Sequence, residues 1–461
     1  MNRRARLLIS LGAVVVVAGV ALPLSNALDS GQRVPKVAGD PHLVAASEVL
    51  QTSCADCHAL EVARLPFYAH VPPASSIIAE DQQRAERWWR IRRAQLEGKE
   101  PFSGSDLGHV ETALAAGEMP PAKYVVMHWG ARLSSAERQT LHGWIYARRA
   151  SRPEAQKMSA ERRGEPIQPV VLPTDLNAAK VALGERLYHD KRLSGDDSLS
   201  CASCHAIEKG GTDQAPVSTG IRGQRGPINA PTTMNASYAL RQFWDGRARD
   251  LKEQAGGPVE NPKEMGAKFA EVVAKLQQDE TYVNQFAVVY PGSTISKDTI
   301  TDAIAEFERS LVTPGAPFDR YLAGDDGAIG ESARRGYATF KAAGCAECHT
   351  GPAAGGESFE RLGIAADYFA ARGKPTDADL GRFAVTHDER DRHSFKVPTL
   401  RNVAVTQPYF HDGSVATLDD AVRKMAKYQR GRALTNAEVS DVVEFLRSLT
   451  GTYRGKSVVK L

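Results

Sequence analysis

Cys54-Ala55-Asp56-Cys57-His58, Cys201-Ala202-Ser203-Cys204-His205 and Cys345-Ala346-Glu347-Cys348-His349 are three copies of one pattern, C-x-x-C-H, and together they use all six cysteines of the chain. The pattern is the attachment site of c-type haem. Its two thiols add to the vinyl groups of the porphyrin, and the His that follows reaches back to the iron. One copy alone would also suit a zinc site or a thioredoxin-like redox pair. Three copies leave no thiol for a disulfide, and their even spacing argues for three repeated units. The sequence therefore predicts three covalent haems, with His58, His205 and His349 as proximal ligands of the iron.

A length of 461 residues suggests roughly three domains, one for each motif. With 42% hydrophobic residues, ordinary packed cores are available. The formal charge is only +3, from 58 basic and 55 acidic residues, and nothing in it asks for nucleic acid. Covalent haem attachment takes place outside the cytoplasmic membrane, so the chain must be exported. Arg3, Arg4 and Arg6 precede an apolar run, Leu7 to Leu24, a charge order that keeps the N-terminus inside. The run is long enough to remain as a membrane anchor. It is also compatible with a signal peptide cleaved near Ala27, after the small-residue triplet Ser25-Asn26-Ala27.

Beyond the segment 1–28 and a polar tether, the chain is expected to form an N-terminal haem domain over 41–150. A charged, Pro-rich linker is expected over 151–174, then haem domains over 175–313 and 314–461. Each domain repeats a helical plan. A helix leads into the motif (Leu43–Leu50, Ala178–Tyr188, Ser332–Ala342) and an amphipathic helix closes the unit (Ser135–Arg149, Asp298–Leu311, Asn436–Leu449). In the last of these Val439, Val442, Phe445 and Leu449 fall on one face. No alternating strand pattern of any length is visible. The expected fold is mainly α: three tandem domains like the small class I cytochrome c fold, each wrapped around its haem.

Function turns on the sixth ligand of each iron, because a Met or His there makes an electron carrier and a vacancy makes a reactive site. Of the seven methionines, Met119 lies in Gly117-Glu118-Met119-Pro120-Pro121, a rigid loop suited to presenting its sulfur to the first haem. Met127 is its competitor. Met425 is the only Met after Cys348 and so the only thioether the third unit offers its own haem. Met234 and Met265 in the second unit read as core residues and lack a comparable loop.

Longer stretches then become recognisable. Gly226-Pro227-Ile228-Asn229-Ala230-Pro231-Thr232, Gln242-Phe243-Trp244-Asp245-Gly246-Arg247-Ala248, Glu253-Gln254-Ala255-Gly256-Gly257-Pro258, Lys396-Val397-Pro398-Thr399-Leu400-Arg401-Asn402 and Pro408-Tyr409-Phe410-His411-Asp412-Gly413 resemble the bacterial dihaem cytochrome c peroxidases. The resemblance covers about residues 176–450. The additional N-terminal haem unit and the leader are similar to the trihaem, membrane-anchored members, which act as periplasmic quinol peroxidases.

The resemblance implies a peroxidatic haem on His205 and an electron-transfer haem on His349 with Met425 opposite. It implies a distal pocket of Phe243, Gln254 and Glu264, and Trp244 between the two haems. It also implies a calcium ion held by Asn235 and the carbonyls of Thr406 and Pro408, and it is compatible with a homodimer. In one place the chain departs from many members. Ile221 stands where they carry a His that caps the resting peroxidatic iron, and no His occurs between His205 and His349.

The resemblance implies a periplasmic, N-terminally anchored enzyme that reduces hydrogen peroxide with electrons from quinol or a small cytochrome c. Glu264 would shuttle the peroxide proton and Gln254 would hold the peroxide. The basic, aromatic stretch Arg84–Arg93 reads as a solvated helix face with Trp88 or Trp89 in the core, with a membrane-facing role as the alternative. Two other functions compete. A plain multihaem electron carrier would need a sixth ligand on all three irons. A dihaem enzyme that oxidises a partner protein would carry Tyr in place of Met425.

Overall fold

The computed structural model describes residues 34, 37 and 40–460, so the Leu7–Leu24 run lies outside the described residues. Among the described residues no helix is long and apolar enough to cross a membrane. That finding corrects the expectation of an N-terminally anchored chain, which rested on the undescribed run and on the resemblance to membrane-anchored members.

The chain divides into two units, Met1–Ser151 and Arg152–Leu461. The second and third expected haem domains are thus parts of one body. In the first unit α1 (Pro41–Ser53) starts on Asp40, whose carboxylate accepts the N–H of His42, with Pro41 in the first turn. It leads into the first motif. After α2 (Ala74–Trp88) come α3 (Gly104–Ala116), α4 (Ala122–Met127) and α5 (Ser135–Ala150). Both α3 and α5 begin with reciprocal caps, Ser103 with Asp106 and Ser134 with Glu137. α1 packs on α5 around Leu50, Leu96, Leu141, Trp144 and Ile145.

The second unit holds α6 (Ala178–Tyr188), α7 (Leu251–Glu260), α8 (Phe269–Gln277), α9 (Glu280–Val289) and α10 (Lys297–Ser310). It continues with α11 (Glu331–Ala342), β1 (Phe359–Arg361), β2 (Ser394–Lys396), α12 (Leu418–Arg430) and α13 (Asn436–Arg447). α6 crosses α10, and α11 crosses α13, each at a glycine. A Cβ at Gly184 would stand 1.9 Å from the carbonyl oxygen of Ala303, and one at Gly336 would stand 1.9 Å from that of Asp441. Only Gly permits backbones so close. The strands β1 and β2 pair antiparallel, Phe359 opposite Lys396. At three residues each they are too short to show an alternating pattern.

The expected linker is not a free connection. Ala155, Met158 and Ile167 are buried in the same core as Phe318, Phe340 and Phe445. The N–H of Gln168 donates to the carbonyl of Gly351, and Arg401 Nη2 donates to the carbonyl of Gln168. Its charges misled the reading: Glu165 binds Tyr337 and Lys341, so the polar side chains of this segment serve packing.

The structure also reveals a duplication within the second unit. Gln242-Phe243-Trp244-Asp245-Gly246-Arg247-Ala248 and Tyr409-Phe410-His411-Asp412-Gly413-Ser414-Val415 form matching tight hairpins, closed at Gln242–Ala248 and Tyr409–Val415. Phe243 and Phe410 both have positive φ, +67° and +71°. Seven residues upstream of the two hairpins, Asn235 and Asn402 share left-handed φ values of +60° and +59°. The copies are cross-linked reciprocally. The N–H of Lys396 donates to the Trp244 carbonyl at 2.8 Å, and the N–H of Asn229 donates to the His411 carbonyl at 2.8 Å. Lys396 and Asn229 are therefore equivalent positions, as are Trp244 and His411, whose rings meet edge to face at 6.4 Å.

Candidate haem and peroxide site

Each C-x-x-C-H motif forms a tight helical turn: Ala55–His58, Cys201–Cys204 and Cys345–Glu347. The turn brings both thiols and the His to one side, and all six thiols are free. Burial pushes the thiols of Cys54 and Cys201 up to about 12. A thioredoxin-like pair needs the opposite, a thiolate stabilised near neutral pH. The three histidines are oriented alike. Nδ1 of His58 lies 2.8 Å from the Trp89 carbonyl, that of His205 3.3 Å from the Gly211 carbonyl and that of His349 3.0 Å from the Ala354 carbonyl. A carbonyl only accepts, so Nδ1 carries the proton and Nε2 is left as a lone-pair donor. Burial also lowers the basicity of all three rings, His349 to about 4, which keeps them neutral. Free thiols beside a neutral imidazole with a fixed tautomer fit covalent haem at every motif.

Trp89 sits at the heart of the first of these sites. Its indole N–H donates to buried Asp106 at 2.9 Å, and its ring meets that of His58 at 5.3 Å. The Arg84–Arg93 stretch thus supplies the platform of the proximal His, and Arg90 and Arg93 pair with Glu61 and Glu97. Of the two candidates opposite His58, Met119 is exposed in its proline loop and Met127 is half-buried at the end of α4.

The expected distal residues of the middle haem lie on the Gln242–Ala248 hairpin, on α7 and on the turn that follows it. The positive φ of Phe243 turns its ring edge to 3.4 Å from where a Cβ of Gly257 would lie. Holding a bulky side chain in that conformation costs about 1–3 kcal/mol, so the surrounding structure must enforce it. Arg247 covers the other face, its guanidinium carbon 3.5 Å from the ring centre. Gln254 lies one turn before Gly257 on α7, half-buried, with no side-chain hydrogen bond among the described residues. Glu264 is half-buried and accepts a 2.7 Å hydrogen bond from Asn261. Burial holds its carboxyl above the ordinary range, against the downward pull of Arg247 and Asn261. Its charge is also felt at Cys204, on the motif itself.

Ile221 is buried against the turn that carries Glu264. It is 3% exposed, its side chain lies against Gly266, and its N–H donates to the Glu264 carbonyl at 2.7 Å. Met234 and Met265 are buried in the core of the same domain with Leu187, Val272 and Phe307. Met425 lies half-buried on α12.

Trp244 ties the two copies together. Its indole N–H donates to the Asn229 carbonyl at 2.9 Å, and its ring meets Phe395 edge to face at 6.4 Å. Asn235, by contrast, does not suit a cation. Its Oδ1 accepts the N–H of Thr313 at 2.9 Å, and its Nδ2 donates to the Thr313 hydroxyl at 2.8 Å. Its twin Asn402 also binds the Thr313 hydroxyl, so both are backbone pins. Asn229 offers what Asn235 does not. Its amide nitrogen is used on the Ala215 carbonyl, and its Oδ1 accepts no hydrogen bond among the described residues. The Thr406 and Pro408 carbonyls likewise accept no hydrogen bond among the described residues, and Asn229 is tied to the same loop through His411. Sequence reading missed Asn229 and Arg247 although both lay in quoted stretches; only the duplication and the ring stacking single them out.

Comparison with known proteins agrees with this geometry. Residues 178–327 match the di-haem cytochrome c peroxidase family model, 15–147 a haem-binding domain and 333–450 cytochrome c. The chain is 46% identical to the cytochrome c peroxidase Ccp of Escherichia coli over 408 residues, covering 87% of this chain and 86% of that protein. It is 48% identical over 290 residues to the cytochrome c551 peroxidase of Nitrosomonas europaea, covering 62% of this chain and 84% of that one. Among solved structures, a MauG-like protein associated with microbial copper homeostasis superposes with a TM-score of 0.54 at 30% identity, over 62% of this chain and 94% of that one. The chain belongs to the di-haem cytochrome c peroxidase family, oxidoreductases that act on hydrogen peroxide through covalently bound haem c.

Proposed function

We propose that this chain is a trihaem peroxidase in which peroxide reacts at the haem of Cys201, Cys204 and His205. The haem of His349 and Met425 would hold an electron ready beside it, and the haem of His58 would feed electrons in from quinol or a small c-type cytochrome. The observation that carries the reading is Glu264: a half-buried carboxyl kept above its ordinary range, on the turn that follows the helix of Gln254, with Ile221 buried against that same turn. Bound at His205, the haem supplies the peroxide-binding centre and its redox equivalents.

The chain's own residues do the rest. Gln254 orients the peroxide by hydrogen bonding. Glu264 takes the proton from the near oxygen and returns it to the far one, so that water leaves. Phe243 and Arg247 close the pocket against bulk water, and Trp244 stands on the path between the two domains. Met425 favours peroxide reduction over oxidation of a partner protein, since the enzymes of that type use Tyr at this place.

The test has two parts. Mass spectrometry with pyridine haemochrome is expected to give three covalent haems, and two would end the trihaem reading. Steady-state assays comparing reduced quinol with reduced cytochrome c identify the donor, and failure of both to support peroxide turnover counts against the proposal.

Calcium enters the same reading with one ligand changed. Oxygen donors from Asn229, Thr406 and Pro408 suit a hard cation. Asn229→Ala is expected to weaken calcium binding and slow turnover at limiting calcium. Asn235→Ala is expected to leave calcium affinity intact and lower thermal stability, by about 1–3 kcal/mol for the buried groups of Thr313 left unpaired. Isothermal titration and thermal melts separate the two, and equal calcium affinity in Asn229→Ala and the parent rejects the reassignment.

A further inference from the structure

Lys396 is a cation with no partner. Its Nζ makes no hydrogen bond and no ion pair among the described residues. The nearest carboxylate, Asp245, is engaged elsewhere: Arg247 Nη1 reaches both of its oxygens, at 3.1 and 2.9 Å. Burial lowers the basicity of Lys396 to about 8 against the pull of Asp245. An unpaired ammonium drawn part-way out of water is costly, and an anion beside it offsets that cost.

Its place in the fold says where that anion comes from. Lys396 is held by its own N–H on the Trp244 carbonyl, at the seam of the two duplicated hairpins. In the other copy the equivalent position is Asn229, tied to the His411 carbonyl with the same 2.8 Å geometry. One position presents a neutral amide oxygen suited to the proposed calcium, and the other carries a cation of its own. The seam thus receives positive charge from both sides.

We propose that Lys396 is a built-in counter-cation for a haem propionate at this seam, and that it sets the reduction potential of that haem. The inference rests on haem being bound at both motifs of the second unit. The charge favours the ferrous over the ferric state, because a nearby positive charge opposes the higher charge of oxidised iron. The propionate belongs either to the haem of His205 or to that of His349, and the experiment distinguishes them.

The measurement is a spectroelectrochemical titration of the holoprotein, with haem content checked separately by haemochrome, so that loss of haem is not mistaken for failure of this proposal. Lys396→Gln is expected to lower the ferrous-to-ferric ratio of one haem about tenfold at the parent midpoint. Lys396→Arg is expected to hold it near the parent value. A shift in the high-potential, Met-ligated spectrum assigns the propionate to the haem of His349, and a shift in the high-spin spectrum assigns it to that of His205. Resonance Raman spectra of the unmodified protein give a reading that needs no variant: one propionate bending band is expected at the frequency of an ion-paired carboxylate. Unchanged potentials in fully loaded Lys396→Gln overturn the proposal. So does an equal shift in Lys396→Arg, or propionate bands at the solvated frequency only.

Discussion

Glu264→Gln is expected to leave haem content, fold and cyanide binding intact and to lower peroxide turnover by roughly 10²–10⁴, the usual worth of general acid–base catalysis. The substitution keeps size and the hydrogen bond from Asn261 available but removes the basic oxygen. Glu264 is well placed for a base. Burial lifts its carboxyl above the ordinary value, which strengthens it as a proton acceptor, while Arg247 and Asn261 limit that rise. The sign of the pH dependence follows. A base works deprotonated, so turnover falls as pH drops through its pKa. The acid limb of the rate profile is expected above the ordinary glutamate range of about 4.3 and is expected to vanish in the Gln variant. A stopped-flow series in pH checks both. An acid limb that persists unchanged in Glu264→Gln assigns the proton to another group and sinks the role.

The parts of this molecule that were legible in sequence are those whose chemistry forces residue types at fixed spacing. C-x-x-C-H is such a case, and the leading and closing helices show an apolar period and strong caps such as Thr435 with Glu438. Glu264 and Gln254 were singled out only by resemblance, since a Glu in a polar turn carries no period. The segment after Ser151 misled because its charges point to partners 150 or more residues away, as Glu165 does to Tyr337. Asn235 and Asn229 show the limit most clearly. Both are Asn in the same short stretch, and composition cannot rank them. What separates them is where each amide oxygen points, which is decided by the backbone: a φ of +60° aims Asn235 at Thr313. The duplication stayed hidden for a related reason. Its copies share Phe-x-Asp-Gly in the hairpin and an Asn seven residues before it, a pattern too short and scattered to mark a repeat without the backbone, and the positions around it differ, Trp244 facing His411 and Asn229 matching Lys396.

Ile221→His is expected to convert the oxidised enzyme from ready to dormant. In the parent, the loop Ser218–Arg225 is pinned to the Glu264 turn. Gly220 donates to the Gln224 carbonyl at 2.7 Å, Gln224 Nε2 to the Pro262 carbonyl at 2.8 Å, and the Ile221 side chain fills the space over Gly266. An imidazole in that apolar seat loses the packing of Ile, about 1.5–3 kcal/mol, and leaves ring nitrogens without partners. Both effects push the ring out of the seat, and a haem held at His205 would offer it an iron to ligate within the same domain. A bias of about 2–3 kcal/mol toward the capped arrangement leaves only a few per cent of the protein open, so the oxidised variant is expected to react with peroxide roughly 30- to 150-fold more slowly. The parent is expected to show a high-spin ferric signal and to bind cyanide without prior reduction. The variant is expected to be low-spin and to regain parent rates after one-electron reduction releases the cap. Electron paramagnetic resonance and stopped-flow mixing read both. A variant that stays high-spin and fast shows that the loop cannot reach the iron. A parent that is wholly low-spin and inert to cyanide shows that some other residue caps it, and the electron-carrier reading then returns.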